Sequence, residues 1–298
     1  MKQISLVAIF FSLLTYSVFA QTDLLRQKIT QIISEKKATV GLLVSGFEKS
    51  DTLSINGDRH FPLQSVFKFH IGLAVLDRIE KKKLALDQKI FIKKSDLSPD
   101  LYSPIREKYP EGNIEMTLAE ILRYTVAESD NSGCDILLKL IGGAKEVNNY
   151  IHSLGISDVN IQNSEAEIQK EWSIQFNNYT SPKAANQLLL SVYRNRNKLF
   201  SKENYDFIWK VMTETSTGKN RLKGLLPAGT VVAHKTGTSG TKDGVMAAVN
   251  DIGIITLPNG KYYAISVFVS NSHESIETNE KIIADVSKVV WNYFTEKK

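Results

Sequence analysis

Four serines in this 298-residue chain stand three positions ahead of a lysine: Ser34, Ser65, Ser216 and Ser239. On a helix that spacing puts both side chains on one face. A serine hydroxyl is a poor nucleophile until a neighbour takes its proton. A lysine does so when desolvation or nearby charge depresses its pKa. At a helix N-terminus the serine's own N–H is also free to point at a developing oxyanion. At least three of the four pairs must be incidental.

Company singles out Ser65 and Lys68. Ser129-Asp130-Asn131 follows 64 residues after Ser65, ahead of an apolar helical run. Lys235-Thr236-Gly237 follows later still, on a strand-like stretch. Each tripeptide is common by chance; all three in this order and these contexts are not. Together they resemble the signature of the class A serine β-lactamases and the penicillin-binding proteins. The resemblance extends to Phe61-Pro62-Leu63-Gln64 before the serine, to Leu101-Tyr102-Ser103-Pro104, and to Arg221-Leu222-Lys223-Gly224-Leu225-Leu226-Pro227. It covers nearly the whole chain beyond residue 20 and is closest to the extended-spectrum, cephalosporin-favouring branch.

The resemblance implies a serine β-lactamase, a cyclic amide hydrolase that confers antibiotic resistance by opening the rings of penicillins and cephalosporins. Ser65 is then the nucleophile, and Lys68 eases the loss of its proton. Ser129 passes a proton to the departing lactam nitrogen. Lys235 orients Ser129 and, with Thr236, Thr238 and Arg221, holds the substrate carboxylate by charge-assisted pairing. The N–H groups of Ser65 and Thr238 form the oxyanion hole. Asn131 binds the acylamide side chain, Tyr102 walls the cleft, and Asp130 is a structural acceptor. Thr238-Ser239-Gly240 is small and polar and leaves room for a bulky substituent, so Ser239 joins the substrate-binding set.

Glu165 separates the two branches of the superfamily. Penicillin-binding proteins deacylate very slowly, whereas a β-lactamase needs a base to activate water against the ester. Ser164-Glu165-Ala166-Glu167-Ile168-Gln169 resembles the family's Glu-x-Glu-Leu-Asn segment, with Glu165 aligned to the base and Glu167 the competing assignment. Gln169 stands where the family usually has asparagine, a second holder of the water. Ala166 replaces the usual proline. Whether glutamate or lysine is the base in acylation stays open.

Rival readings follow from the same motifs. A penicillin-binding DD-peptidase would form a long-lived penicilloyl adduct and usually carry a membrane tether. A non-enzymatic exported binding protein would keep the motifs without turnover. A zinc enzyme is disfavoured, because His60, His70, His152, His234 and His273 form no dense ligand cluster. No metal and no cofactor is expected.

These residues need elements to position them. Helices are expected over about 23–36, from Ser65 to about Lys82, over 117–142, over 182–197 and at the C-terminus. Strands are expected over 40–44, 52–56, 230–235, 247–257 and 261–269, the last two joined at Pro258-Asn259-Gly260. Strands at both ends with helices between suggest an α/β two-lobe fold of the serine β-lactamase/DD-peptidase type. An antiparallel sheet flanked by helices (about 21–61 and 206–298) would sit beside an all-helical lobe (about 62–205), with the active site in the cleft.

Composition agrees with a globular enzyme, at 42% hydrophobic and 23% charged residues. Residues 1–20 read as a cleaved secretory signal: Lys2, an apolar stretch, then Val18-Phe19-Ala20. Beyond it no segment is apolar enough to span a bilayer, so a periplasmic or secreted monomer with no membrane contact is expected. The formal charge of +5 becomes +4 without the signal, with 36 basic against 32 acidic residues, and nothing in their spread suggests nucleic acid. Cys134 is the only cysteine, which excludes an internal disulfide; it reads as a small buried hydrophobe.

Overall fold

The structure is a computed structural model that describes residues 22–47 and 51–296. The expected export signal lies outside the described residues. Strands Thr52–Ile55, Thr39–Ser45, Tyr262–Ser272, Val245–Thr256 and Val232–Thr238 lie side by side in that order, all neighbours antiparallel. Thr241–Lys242 pairs with the start of Val245–Thr256. Both ends of the described chain thus share one sheet, as expected.

Alternation along each strand gives the sheet two apolar faces. Val40, Leu42, Val44, Ile265 and Val267 pack on Leu25, Ile29, Ile282, Val286 and Val290. Those partners belong to the terminal helices, at 22–34 and Ile276–Glu296. Phe268, Ile252 and Ile254 on the other face join the core of the middle helices, with Phe67, Leu122, Leu137 and Leu188. The two-lobe α/β architecture with an antiparallel sheet is the one observed.

Several boundaries differ from the sequence expectation, each for a local reason. The stretch 117–142 is two helices, Leu118–Ala127 and Asn131–Ile141. Asp130 starts the second by accepting the Gly133 N–H, and Ser129 before it takes a left-handed φ of 60°. The helix expected over 182–197 is Pro182–Tyr193, because Asn195 and Asn197 turn left-handed. The strand expected to stop at 235 runs on to Thr238, carrying the whole Lys-Thr-Gly motif. Four helices lie outside the expected set, the short Pro104–Lys108 and Glu165–Ile168 and the longer Ala144–Ser153 and Lys202–Thr213; the last is mostly polar and buries only one stripe, including Ile208, Val211 and Met212. Just after it, Thr215 Oγ1 donates to His234 O at 2.6 Å, tying this helix's end to the motif strand.

Candidate active site

Ser65 lies in a 3-10 turn, Gln64–Val66, that leads directly into the helix Phe67–Glu80. Gln64 before it has a left-handed φ of 48°, a conformation that a non-glycine residue holds only when its surroundings fix it. They do: Gln64 Nε2 donates to Gln175 Oε1 at 2.7 Å, and Asn250 Nδ2 donates to Pro62 O at 2.8 Å. Gly237 completes the seat. A Cβ there would lie 2.6 Å from Leu63 O and 3.0 Å from Gln64 Cβ, so only glycine lets the strand press against the serine's turn.

Lys68 is fully buried on the helix one turn after Ser65. Its Nζ donates to Ser65 Oγ at 2.9 Å, to Ser129 O at 2.8 Å and to Asn131 Oδ1. It also lies 2.9 Å from Glu165 Oε1. Ser65 Oγ and Glu165 Oε1 are 3.5 Å apart, so the hydroxyl, the amine and the carboxylate form one cluster. From the sheet, the fully buried Lys235 donates to Ser129 Oγ at 3.0 Å and to Thr236 O at 3.0 Å. Burial and the nearby Lys68 charge hold the Lys235 ammonium well below its usual value, while Asp251 and Glu165 oppose that shift. The five expected reactive residues are therefore brought together.

The loop carrying Glu165 places the two glutamates differently. Ser164 caps the short helix Glu165–Ile168, and Glu167 completes a capping box by accepting the Ser164 N–H at 2.8 Å. Glu167 is thus turned away to an exposed position, and Glu165 is buried against Lys68. Asp135 anchors this turn. Its Oδ1 accepts the Glu165 N–H at 2.8 Å and its Oδ2 the Ala166 N–H at 2.9 Å. Burial lifts Asp135 to about 6, against the effect of those two bonds. Sequence reading missed Asp135; the available signal was its position four residues after Asn131 on one helix face.

The remaining expected residues divide. Tyr102 is half exposed, and its carbonyl accepts the Asn131 N–H at 3.0 Å. Asp130 is the structural acceptor expected, binding the Ser103 hydroxyl and the Ile105 and Gly133 N–H groups. Thr236 Oγ1 shares a 2.6 Å hydrogen bond with Thr217 Oγ1. Arg221 is buried and donates to Gly237 O at 3.0 Å, Asn250 O at 2.9 Å and Thr238 Oγ1 at 2.7 Å, with Glu280 Oε1 3.1 Å from its Nε. It reaches the exposed edge through Thr238. Two expected residues stand apart from this cluster. Ser239 Oγ is taken up inside the sheet, accepting the Ala248 N–H at 2.9 Å and donating to Gly240 O at 2.8 Å. Gln169 caps the loop helix with its side chain exposed, and makes no side-chain hydrogen bond to Glu165.

His70 sits on the Ser65 helix but is buried away from the cluster, its Nδ1 against Val66 O at 3.3 Å; burial lowers it to about 4, so it stays neutral. Burial pushes the Cys134 thiol up, consistent with an inert core residue. Among the described residues no three histidine, cysteine or acidic side chains are grouped to hold a metal, and no helix is long and apolar enough to cross a membrane.

A profile described as "Beta-lactamase enzyme family" matches residues 24–294. The chain is 51% identical to Beta-lactamase VEB-1 of Pseudomonas aeruginosa over 292 residues, 98% of this chain and 97% of the relative. It is 41% identical to Extended-spectrum beta-lactamase PER-1 of the same organism, across 95% and 91% of the two chains. Among solved structures, TLA-3 extended-spectrum beta-lactamase superposes with a TM-score of 0.89 at 50% identity, covering 92% of this chain and 99% of that one.

Proposed function

The chain belongs to the β-lactamase enzyme family as a class A serine β-lactamase, and from that premise we propose that Ser65, Lys68, Ser129, Glu165 and Lys235 carry the reaction. As a member of that family it hydrolyses the β-lactam ring through a serine acyl-enzyme, giving antibiotic resistance. One observation supports the residue assignment above others: Lys68 Nζ is 2.9 Å from Ser65 Oγ and 2.9 Å from Glu165 Oε1.

In acylation, Ser65 Oγ bonds to the lactam carbonyl carbon, and its proton passes into the Lys68–Glu165 pair. Either group is in reach as the immediate acceptor. The N–H groups of Ser65 and Thr238 take the developing oxyanion. When the C–N bond breaks, Ser129 gives its proton to the ring nitrogen and regains one from Lys68, while Lys235 holds the Ser129 hydroxyl in line. In deacylation, Glu165 takes a proton from water as its oxygen attacks the ester carbon. Ser65 Oγ leaves and is reprotonated, releasing the ring-opened acid.

Substrate contacts are assigned to Tyr102 at the wall, to Asn131 at the acylamide, and to Lys235, Thr236 and Thr238 at the carboxylate, with Arg221 acting through Thr238. The protein works as a monomer in the periplasm after loss of residues 1–20. Ser65→Ala tests the assignment: turnover and the covalent adduct seen by intact mass should both disappear. An adduct on any other serine would refute it. A wild-type penicilloyl adduct lasting hours would favour the DD-peptidase reading instead.

A further inference from the structure

Behind the Lys-Thr-Gly strand lies a buried pair that the reaction does not use directly. His234 and Asp251 are both fully buried, and His234 Nδ1 lies 2.9 Å from each Asp251 carboxylate oxygen. The sheet register explains the contact. His234 stands opposite Gly253, and Asp251 stands opposite Thr236, so histidine and aspartate are diagonal neighbours on one face. Gly253 leaves the space: a Cβ there would lie 2.9 Å from His234 Cβ. Asp251 Oδ2 also accepts the N–H of Leu222, the residue after Arg221, at 3.2 Å. His234 Nε2 is buried with no hydrogen-bond partner.

We propose that Asp251, held by His234, is a positioning residue that fixes the Arg221 turn against the Lys235 strand and supplies a buried negative charge behind Lys235. One carboxylate touches the residue before Lys235 and the residue after Arg221, and it lies across from Thr236. It therefore sets the spacing of three groups assigned to the substrate carboxylate, and the inference rests on that assignment. The orphaned Nε2 bears on the charge of the pair. An imidazolium would bury an unsatisfied, charged N–H, whereas a neutral ring donating from Nδ1 leaves only a bare acceptor. The pair then carries a net negative charge. Lys235 needs one, because its own contacts are a hydroxyl and a carbonyl. The charged groups around Lys235 are Lys68 and Glu165 on the helical side, with Arg221 and Asp251 behind the strand. Glu280 and Lys223 lie further out, beside Arg221 and Asp251.

Two measurements test this. The first uses the wild-type protein: long-range proton–nitrogen NMR of His234 at neutral pH. The neutral Nδ1–H form is expected. An imidazolium signal would cancel the Asp251 charge and overturn the proposal without any variant. The second compares wild type, Asp251→Asn and Lys235→Ala on benzylpenicillin across pH. Asp251→Asn should raise KM about tenfold with kcat within about threefold, and move the alkaline limb of kcat/KM about one pH unit towards acid. An unmoved limb with unchanged KM would overturn it. Lys235→Ala separates the two readings. If it is impaired while Asp251→Asn behaves as wild type, the positioning role fails alone. If it too leaves KM unchanged, the carboxylate-site assignment fails with it.

Discussion

Lys68 Nζ and Glu165 Oε1 are 2.9 Å apart, with Lys68 fully buried and Glu165 nearly so. In the proposed mechanism a pair so placed joins the two half-reactions: the lysine reaches Ser65 Oγ at 2.9 Å, and Glu165 Oε1 lies 3.5 Å from the same oxygen, to which the ester would form. What holds Glu165 there is backbone anchoring by Asp135.

That anchoring predicts a pH dependence. Burial lifts Asp135 to about 6. As pH falls through that value the carboxylate takes a proton, and a protonated oxygen is a poorer acceptor for the loop N–H. For a substrate limited by deacylation, kcat should fall below pH about 6, and Asp135→Asn should remove that inflection while slowing deacylation about tenfold or more. The folded-state value lies above the unfolded one, so the same group lowers stability as pH rises from about 4 to about 6. Stopped-flow deacylation rates from pH 5 to 8 make the check; an inflection that survives Asp135→Asn belongs to another group.

Asp130 predicts a stability effect. Its buried carboxylate accepts from Ser103, Ile105 and Gly133, and burial raises its pKa against those bonds. Asp130→Ala strands these donors and should cost about 2–4 kcal/mol. Asp130→Asn, which keeps one carbonyl acceptor, should cost less. Urea unfolding midpoints of the two variants, read with unchanged slopes, test the order.

Arg221 and Glu280 predict a binding effect. Arg221 reaches the exposed strand edge through Thr238 Oγ1 at 2.7 Å, with its Nε on Glu280. Arg221→Lys loses the planar fork and should raise KM for benzylpenicillin about tenfold, with a smaller rise for Glu280→Gln. Equal loss in kcat with KM unchanged would instead put Arg221 in the chemical step.

The geometry also bears on bulky cephalosporins. The Glu165 loop meets the strand end where Trp172 would lie 3.9 Å from a Cβ on Gly240, an ordinary contact rather than a clash. Beside it, a cavity of about 350 Å³ opens between Trp172, Phe176, Lys242 and Asn271. Oxyimino-cephalosporins should be hydrolysed within about a thousandfold of benzylpenicillin, ~4 kcal/mol in transition-state binding. Gly240→Val should cut ceftazidime kcat/KM about 10-fold or more while sparing benzylpenicillin. Steady-state rates on both substrates decide; parallel losses would remove the steric account.

Much of this was legible in the sequence, because the reactive groups come in short motifs whose spacing reflects local geometry. Ser65 and Lys68 share one helix face, and Lys235-Thr236-Gly237 alternates along one strand. The role of Gly237 was not legible, since it depends on Leu63 approaching from a distant turn. Asp135, Asn250 and Glu280 were missed for the same reason: each acts across the fold on a partner about 30 to 190 residues away. Glu167 was a readable signal left unread, because Ser164-x-x-Glu167 is a capping box and a capping carboxylate faces its own backbone. Ser239 carries two readings, because small, polar residues at a strand end also satisfy the sheet itself, as its bond to Ala248 does.

The division of labour between Ser65 and Glu165 is most directly tested by intact mass spectrometry of Glu165→Gln after mixing with benzylpenicillin. Loss of the general base should cost about 10²–10⁴-fold in deacylation while leaving acylation competent. The variant should therefore accumulate one penicilloyl adduct, which peptide mapping finds on Ser65, and should persist in that form through a burst with little further turnover. Normal turnover by Glu165→Gln, with the adduct trapped instead in Glu167→Gln, would contradict the account.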